Sequence, residues 1–163
     1  MVVKSEPLLR RAKTPGEFVF MAELAVRAWE TTARAIELTD ESRSLLKAKF
    51  LRDLNENADG VLLAEREGRI SGWGARVSNS NYISDLWIDP PYHGQGLGGL
   101  LLNALMAQIL LDGFAEAEIG THADNLPAIG LYRRTGFAIY RQEEEWSESF
   151  GHRVEKVRMK ASL

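Results

Sequence analysis

Apolar residues recur along the chain with two different spacings, and the first of these predicts helices near the N-terminus. PLLRRAK (residues 7–13) is typical of a short strand, and apolar positions then follow a helical spacing from Thr14 to Ile36. Thr14 suits the N-cap of this helix, and Pro15 suits its first turn. A second helical pattern runs from Leu45 to about Leu54, where NENADG ends it.

The middle of the chain changes to short apolar or alternating runs, which predict strands. These runs are GVLLAERE (60–67), GRISGWGARVS (68–78) and NYISDLWIDP (81–90). Because the turn-prone sequences EGR and NSN separate them, we expect an antiparallel meander.

Helical spacing returns after a glycine-rich stretch and then gives way to a strand. Apolar residues recur at helical spacing from Leu97 until Asp112 and Gly113. FAEAEIGTHA (114–123) follows and reads as a strand.

The C-terminal part predicts one short helix and two further strands. Asn125 suits the N-cap of LPAIGLYRRT, and Gly136 suits its end. FAIYRQ (137–142) and RVEKVRMKA (153–161) then read as strands. The order βααβββαβαββ predicts an α/β (α+β) fold, with four helices and a mixed, mostly antiparallel central sheet of about seven strands.

Composition narrows the class of protein. The chain has 163 residues, 45% of them hydrophobic, and no linker or repeat, so we expect one domain over residues 1–163. A net charge of -3 and the lack of a basic run argue against nucleic acid as a partner. The absence of cysteine suits a reducing compartment, and no signal peptide or membrane span is apparent, so we expect a cytoplasmic protein without a membrane partner.

The stretch PPYHGQGLGG (residues 90–99) places glycines directly before the third helix. The first N–H groups of a helix have no partner within the helix, and together with the helix dipole they bind phosphate. The alternating Gly94, Gly96 and Gly98 let a diphosphate approach the donors of Gln95, Leu97 and Gly99 without a Cβ in the way. A simple strand-to-helix turn explains the same glycines equally well.

The glycines also satisfy G-x-G-x-x-G, the pattern of dinucleotide-binding folds. In those folds the first glycine follows the strand directly, whereas Asp89, Pro90, Pro91, Tyr92 and His93 intervene here. A nicotinamide-dependent oxidoreductase therefore remains a weaker alternative. The P-loop pattern fails because no Gly-Lys-Ser/Thr follows.

Two motifs together resemble the GCN5-related N-acetyltransferase (GNAT) superfamily. DPPYHGQGLG is similar to the family pattern Arg/Gln-x-x-G-x-G/A after a strand, except that His93 stands at the first position. NLPAIGLYRRTGF (125–137) is similar to N-x-x-A-x-x-L-Y-x-x-x-G-F, in register. The pair covers roughly residues 81–140, and the element order extends the resemblance over nearly the whole chain.

The resemblance implies acetyl-CoA as cofactor, bound between diverging strands four and five. The residues it assigns to cofactor binding are Trp87, Ile88, His93, Gly94, Gln95, Gly96, Leu97, Gly98, Gly99, Asn125 and Tyr132. Since a histidine is largely neutral at neutral pH, the contact of His93 with phosphate should be weaker than that of the family's usual cation, or pH-dependent. Backbone donors would then dominate the binding of the pyrophosphate.

Acetyl transfer to an amine requires a base, an oxyanion donor and an acid. Asp85, among apolar residues, is the first candidate for the base, ahead of His122 and Glu118; a solvent-facing aspartate is the alternative. By resemblance, Tyr132 is the general acid and the N–H near Ile88 meets the oxyanion, although a packing role also explains Tyr132. Some relatives carry a glutamate at the position of Gly120, and that carboxylate is absent here.

The acceptor and the assembly are less defined. We expect a primary amine on a small molecule or a peptide, and no metal, since the histidines are widely separated. Aromatic residues that could line an acceptor pocket, or simply fill the core, are Trp29, Trp73, Tyr82, Trp87 and Trp146.

RQEEEWSESFG (141–151), with Glu143, Glu144, Glu145 and Glu148, predicts an acidic loop that attracts a cationic amine or is only solvated. A homodimer through the C-terminal strands is possible by resemblance. A noncatalytic acyl-CoA-binding module is the principal alternative function, but it needs no general acid such as Tyr132.

Overall fold

The computed structural model describes residues 5–32, 37–147 and 151–163. Its element order within these residues is the predicted βααβββαβαββ, with two additional short 3-10 turns. The helices are α1 (Pro15–Thr32), α2 (Asp40–Glu56), α3 (Leu97–Leu111) and α4 (Leu126–Arg134). The strands are β1 (Leu8–Arg10), β2 (Val61–Arg66), β3 (Arg69–Arg76), β4 (Tyr82–Ile88), β5 (Glu116–His122), β6 (Ala138–Ser147) and β7 (His152–Ser162).

The strands form one mixed sheet in the order β1-β2-β3-β4-β5-β7-β6. The pair β4 and β5 is parallel, and the other neighbouring strands of the described chain pair antiparallel. Helix α3 is the crossover between β4 and β5, as a parallel pair requires. The predicted mixed, mostly antiparallel sheet is therefore confirmed.

Helices cover the sheet on two faces, and each face has its own apolar core. On one face α3 and α4 bury Leu101, Leu105 and Ile129 against strands that include β5 and β7. On the other face α1 and α2 pack against β2 and β3, around Trp73. Among the described helices, none is both long and apolar enough to cross a bilayer.

The boundaries of the first two helices differ in part from the prediction. Helix α1 begins at Pro15 as predicted, while its predicted last residues, 33–36, lie outside the described residues. Helix α2 begins at Asp40, earlier than the apolar pattern indicates, because the Thr39 hydroxyl accepts a hydrogen bond from the Ser42 N–H at 3.0 Å. The first turn of α2 is polar and adds nothing to the apolar pattern, so the cap at Thr39 is what marks the start of this helix.

The predicted acidic loop is wrong over residues 143–147. Strand β6 runs on to Ser147, and Glu143, Glu144 and Glu145 lie in the strand rather than in a loop. Salt bridges across the strands hold this charged sequence in the sheet; for example, Arg158 lies 3.0 Å from Glu145. Glu148 lies outside the described residues.

A β-bulge interrupts the pairing of β3 with β4. Ala75 pairs with Asp85 and Arg76 pairs with Ile83, so Ser84 is the extra residue on β4. The bulge shifts the alternation of side chains along β4. Ile83, Leu86 and Ile88 consequently all contact the α3 side of the sheet, and Trp87 contacts the α2 side.

An ion-pair cluster joins the N-terminal strand to the first helix. Arg10 of β1 lies 2.7 Å from Glu17 of α1 and 2.7 Å from Glu65 of β2. The hydrogen bond from Arg10 holds the pKa of Glu17 at about 2, below its ordinary value of 4.5.

Replacing Glu17 by Gln is expected to lower the free energy of unfolding near pH 7 by about 2–3 kcal/mol. Because the folded-state pKa is depressed, this contribution is present above the unfolded pKa of 4.5 and is lost as the pH falls toward about 2. Urea unfolding at several pH values measures it. Glu30→Gln, which breaks a pair whose Arg43 side chain is 45% exposed, is the matched control and should change little. An equal loss in both variants at every pH would contradict this assignment.

Candidate functional site

The two central strands separate soon after they pair. The parallel ladder between β4 and β5 contains only Tyr82 with Glu118 and Ile83 with Ile119. It ends at the bulged residue Ser84, beyond which the strands diverge. The diverging ends leave an opening through the middle of the sheet.

Two cavities meet at this opening. The first, here the α3-side cavity, has a volume of about 410 Å³ and is lined by β4, by residues 92–99 except Gln95, and by parts of β5 and α4. The second, the α2-side cavity, measures about 590 Å³ and is lined by α1, α2, β4, β5, β6 and β7. Residues that line both cavities are Thr32, Ser84, Asp85, Trp87, Gly120, Thr121 and Asn125.

The backbone of β4 presents polar groups to the opening. Asp89 donates its N–H to the Ser71 carbonyl at 2.9 Å, next to the facing residues Gly72 and Ile88. Hydrogen-bonded and non-bonded pairs alternate in an antiparallel ladder, so the N–H and C=O groups of Leu86 and Ile88 point away from β3 and toward β5. Because β5 has already diverged, the N–H and C=O of Leu86 and the N–H of Ile88 are available to a ligand, whereas the Ile88 carbonyl is contacted by His93.

The glycine-rich loop supplies a second row of donors. Gly94 and Gly96 have φ values of 74° and 82°, which side chains rarely tolerate, and Gly96 is the N-cap of α3. Within the described chain, no residue accepts a hydrogen bond from the backbone N–H groups of residues 94–99. The start of α3 thus offers unpaired donors and the positive end of its dipole to the α3-side cavity.

His93 bonds back to the protein. Its Nε2 lies 2.8 Å from the Ile88 carbonyl oxygen, which joins the loop to the end of β4. The ring is exposed at the rim of the α3-side cavity. This contact favours backbone donors as the main anion-binding groups of the loop.

An ion pair anchors the other end of the loop to α1. Arg27 donates from Nε and Nη2 to Asp89, at 3.0 and 3.1 Å, in a bidentate geometry. Asp89 follows β4, and its carbonyl accepts from the Tyr92 N–H at 2.8 Å. Helix α1, whose Thr32 lines both cavities, is therefore fixed to the segment that leads into the glycines.

Tyr132 lies in the wall of the α3-side cavity. Its ring is buried on α4 and packs at 6.2 Å from the ring of Phe137. Burial raises its pKa well above that of an ordinary tyrosine, and the nearby Tyr82 and Asp85 add to the rise. The raised pKa keeps the hydroxyl protonated near pH 7. No described residue forms a hydrogen bond with it, so it is available to a ligand.

Asp85 lies half-buried at the boundary of the two cavities. Burial raises the pKa of its carboxyl group, although hydrogen bonds from Trp87 Nε1 at 3.0 Å and from the Ser84 hydroxyl at 2.9 Å lower it. The bulge at Ser84 places this carboxyl on the side of Trp87, opposite the side of Tyr132. A proton acceptor and a proton donor thus reach the same opening from different faces of the sheet.

The structure separates the other base candidates. His122 lines the α2-side cavity, where burial and then Lys156 lower its pKa, so its imidazole is neutral near pH 7. Glu118 lies outside both cavities and 3.4 Å from Lys160. Gly120 lines both cavities, and a Cβ there would lie 3.7 Å from the Tyr82 hydroxyl.

Asn125 joins the end of β5 to the start of α4. Its amide donates to the Thr121 hydroxyl at 3.1 Å, and its Oδ1 accepts from the Ala128 N–H at 3.4 Å as an N-cap. The predicted cap is thus present, and it fixes residues that line both cavities.

The aromatic candidates fall into three groups. Trp29, Tyr82 and Trp87 line the α2-side cavity, whereas Trp73 is buried in the core and donates to the Met21 carbonyl at 2.9 Å. Trp146 is 60% exposed and lies in neither cavity. In the described residues no group of three or more metal-ligating side chains is placed to hold a metal ion.

Comparison with known proteins decides the family. The Acetyltransferase (GNAT) family model matches residues 19–137. The chain belongs to this family. The match contains both the glycine-rich loop and the helix that carries Tyr132, so the resemblance read from those motifs is confirmed.

The relatives of this GNAT protein are distant. An uncharacterized N-acetyltransferase of Mycobacterium tuberculosis (strain H37Rv) is 28% identical over 99 residues, which cover 59% of this chain and 64% of that protein. A mycothiol acetyltransferase of Saccharomonospora viridis is 29% identical over 134 residues, 71% of this chain and 43% of that protein. The chain therefore spans less than two thirds of the length of either relative.

A solved structure shares the whole fold. The PaiA N-acetyltransferase of Thermoplasma acidophilum, in complex with coenzyme A, superimposes with a TM-score of 0.77 at 17% identity. The superposition covers 98% of this chain and 100% of that chain. This agreement confirms the predicted GNAT fold.

Several residues at the site carried no recognisable signal in the sequence. Ser84 forms the bulge, Thr121 lines both cavities, and Arg27 holds the loop from a distant helix. For the pairing of Arg27 with Asp89, the one clue in the sequence is that Asp89 adjoins the glycine motif.

Gly96→Ala is expected to weaken coenzyme A binding about tenfold, as measured by calorimetry. A Cβ at Gly96 has open space, but the φ of 82° is strained for alanine, so relief of the strain moves the loop donors. Gly113→Ala is the matched control, since Gly113 has a φ of 93°, also has open space and lies outside the described cavities. Equal affinity in the two variants would show that the loop conformation does not matter for binding.

Proposed function

We propose that the protein is an acetyl-CoA-dependent N-acetyltransferase that transfers the acetyl group directly to a primary amine. The observation that carries the proposal is the opening between β4 and β5, where unpaired backbone donors, Tyr132 and Asp85 converge and two cavities meet. Direct transfer needs two substrates to approach one point from different sides, and the two cavities provide such an arrangement.

The α3-side cavity fits the coenzyme. The N–H groups of residues 94–99 suit the pyrophosphate, and the outward-facing N–H and C=O of Leu86 suit an amide of the pantetheine arm. The complex of the Thermoplasma acidophilum protein with coenzyme A supports this choice of ligand. When bound, acetyl-CoA supplies an activated acetyl group as a thioester.

The protein's own groups supply the remaining chemistry. Asp85 takes a proton from the incoming ammonium, directly or through water, and the Ile88 N–H donates to the carbonyl oxygen as charge develops there. A carbon–nitrogen bond forms to the acetyl carbon, the carbon–sulfur bond breaks, and the nitrogen releases its second proton, which by way of solvent restores the phenol of Tyr132. Tyr132 donates its proton toward the departing sulfur, and the buried surroundings that raise its pKa also destabilise a thiolate.

Two measurements test the proposal as a whole. Native mass spectrometry of the purified protein should detect bound coenzyme A or acetyl-CoA. A panel of primary amines with acetyl-CoA should then release free thiol and yield the acetylated amine. Coenzyme binding without turnover on any amine would instead support the noncatalytic acyl-CoA-binding module, and binding of a nicotinamide dinucleotide in place of coenzyme A would contradict both.

Tyr132→Phe is expected to lower kcat at least about tenfold while the Kd for acetyl-CoA changes little. The substitution removes only a hydroxyl without a described partner, so the thermal midpoint should also stay close to that of the parent protein. Tyr140→Phe, which alters a phenol on the exposed strand β6, is the control. A near-normal kcat in Tyr132→Phe would remove the phenol from the mechanism.

Asp85→Asn is expected to reduce kcat/KM at least about tenfold and to remove an acidic limb from its pH profile. Because burial raises the pKa of Asp85, the base is protonated and lost as the pH falls through that raised value. Asp124→Asn, which changes an exposed carboxylate of the same α2-side cavity, should keep the limb. If His122→Gln removes the limb and Asp85→Asn does not, the base is the imidazole.

A further inference from the structure

The α2-side cavity has two unlike walls. One wall is aromatic: Trp29 of α1, Phe50 of α2 and Trp87 of β4, with the rings of Phe50 and Trp87 5.2 Å apart in an edge-to-face arrangement. The opposite wall consists of β7 and the end of β5, and it carries charged side chains. An occupant that satisfies both walls is apolar at one end and polar at the other.

The register of β7 places two cations beside the opening. Gly120 faces Arg158, Thr121 faces Val157 and His122 faces Lys156. Val157 is buried in the core under α3, so by strand alternation Lys156 and Arg158 project to the opposite side, where both line the cavity. They flank the level of Thr121, which with Gly120 is one of the β5 residues that line both cavities.

One of these cations is already compensated. Arg158 donates from Nε and Nη2 to Glu145 at 3.1 and 3.0 Å, and its guanidinium lies 5.6 Å from the Tyr82 ring. Its position is therefore fixed by the protein.

Lys156 differs from the other cations of the cavity. Lys49, on the aromatic side, is paired with Asp53 at 2.8 Å. Lys156 is half-buried, and no carboxylate of the described residues lies within ion-pair distance of its ammonium. A half-buried charge without a counter-ion is unfavourable, so the site favours an anion at this position.

The acidic side chains of the same cavity do not take that role. Asp85 accepts from Ser84 and Trp87, Glu145 is held by Arg158, and Glu155 accepts from Gln142 at 2.6 Å. Asp124 is exposed on the turn after β5.

We propose that the acceptor is a free amino acid with an apolar side chain, whose carboxylate is bound by Lys156. Its amine enters the opening beside Thr121 and Asp85. Its carboxylate meets the ammonium of Lys156, the β7 residue next to the one that faces Thr121. Its side chain packs on the aromatic wall. This inference rests on the proposed acetyl transfer and adds the class of acceptor.

The test compares substrates that differ only in the carboxylate. Initial rates are measured with L-phenylalanine, 2-phenylethylamine and L-phenylalaninamide, using the parent protein, Lys156→Met and Lys160→Met. Lys160 is the matched control because it lies on the same strand and face, is paired with Glu118 and lies outside both cavities. Each substrate is compared between variants, so the basicity of its own amine cancels.

We expect Lys156→Met to lower kcat/KM for L-phenylalanine about tenfold or more, because one charge-assisted contact with the carboxylate is lost. The kcat/KM for 2-phenylethylamine, which has no carboxylate, should stay within about twofold of the parent value. Lys160→Met should change neither, and both variants should keep the parent's acetyl-CoA affinity and thermal midpoint. L-Alanine should be a poorer acceptor than L-phenylalanine, because it leaves the aromatic wall uncovered.

The inference is overturned if Lys156→Met lowers the rates on all three substrates equally, or if the parent protein acetylates L-phenylalaninamide and not L-phenylalanine. The second result would indicate a peptide N-terminus as acceptor. Failure of the proposed acetyl transfer is distinguishable from failure of this inference, because no amine of the wider panel would then release free thiol.

Discussion

The separation of β4 from β5 is the constraint on which the rest of the structure depends. A parallel pair that stays together satisfies its backbone groups, whereas this pair is hydrogen-bonded only near Tyr82 and Ile83. Beyond the bulge at Ser84, the groups of Leu86 and Ile88 have no strand to meet, and the start of α3 adds further unpaired donors. Unpaired backbone groups are costly where water is excluded, so the opening suits a ligand whose acceptors meet these donors.

The same bulge explains why the two candidate proton-transfer groups lie on different faces of the sheet. Asp85 follows the extra residue and turns to the side of Trp87, while Tyr132 approaches from α4 on the other side. A single added residue in one strand thus brings a carboxyl and a phenol to one opening, although helices on opposite faces support them.

Local signals made much of this predictable. The glycines before α3, the Asn125 cap and the alternating runs of the meander act over a few residues, so their elements follow from the sequence. The bulge at Ser84, the pairing of Arg27 with Asp89 and the position of Lys156 depend on contacts between distant segments, which no short pattern encodes. Strand β6 was underestimated for the same reason, because its glutamates are stabilised by partners on β7.

The bond between Arg27 and Asp89 has a consequence for the order in which two reactants assemble. Helix α1 forms part of both cavities and is tied to the segment that precedes the glycine-rich loop. If a ligand in the α3-side cavity shifts that segment, the shift is transmitted through α1 to the wall of the α2-side cavity. Compulsory ordered kinetics, with the acyl donor first, is the behaviour that such a mechanical link favours.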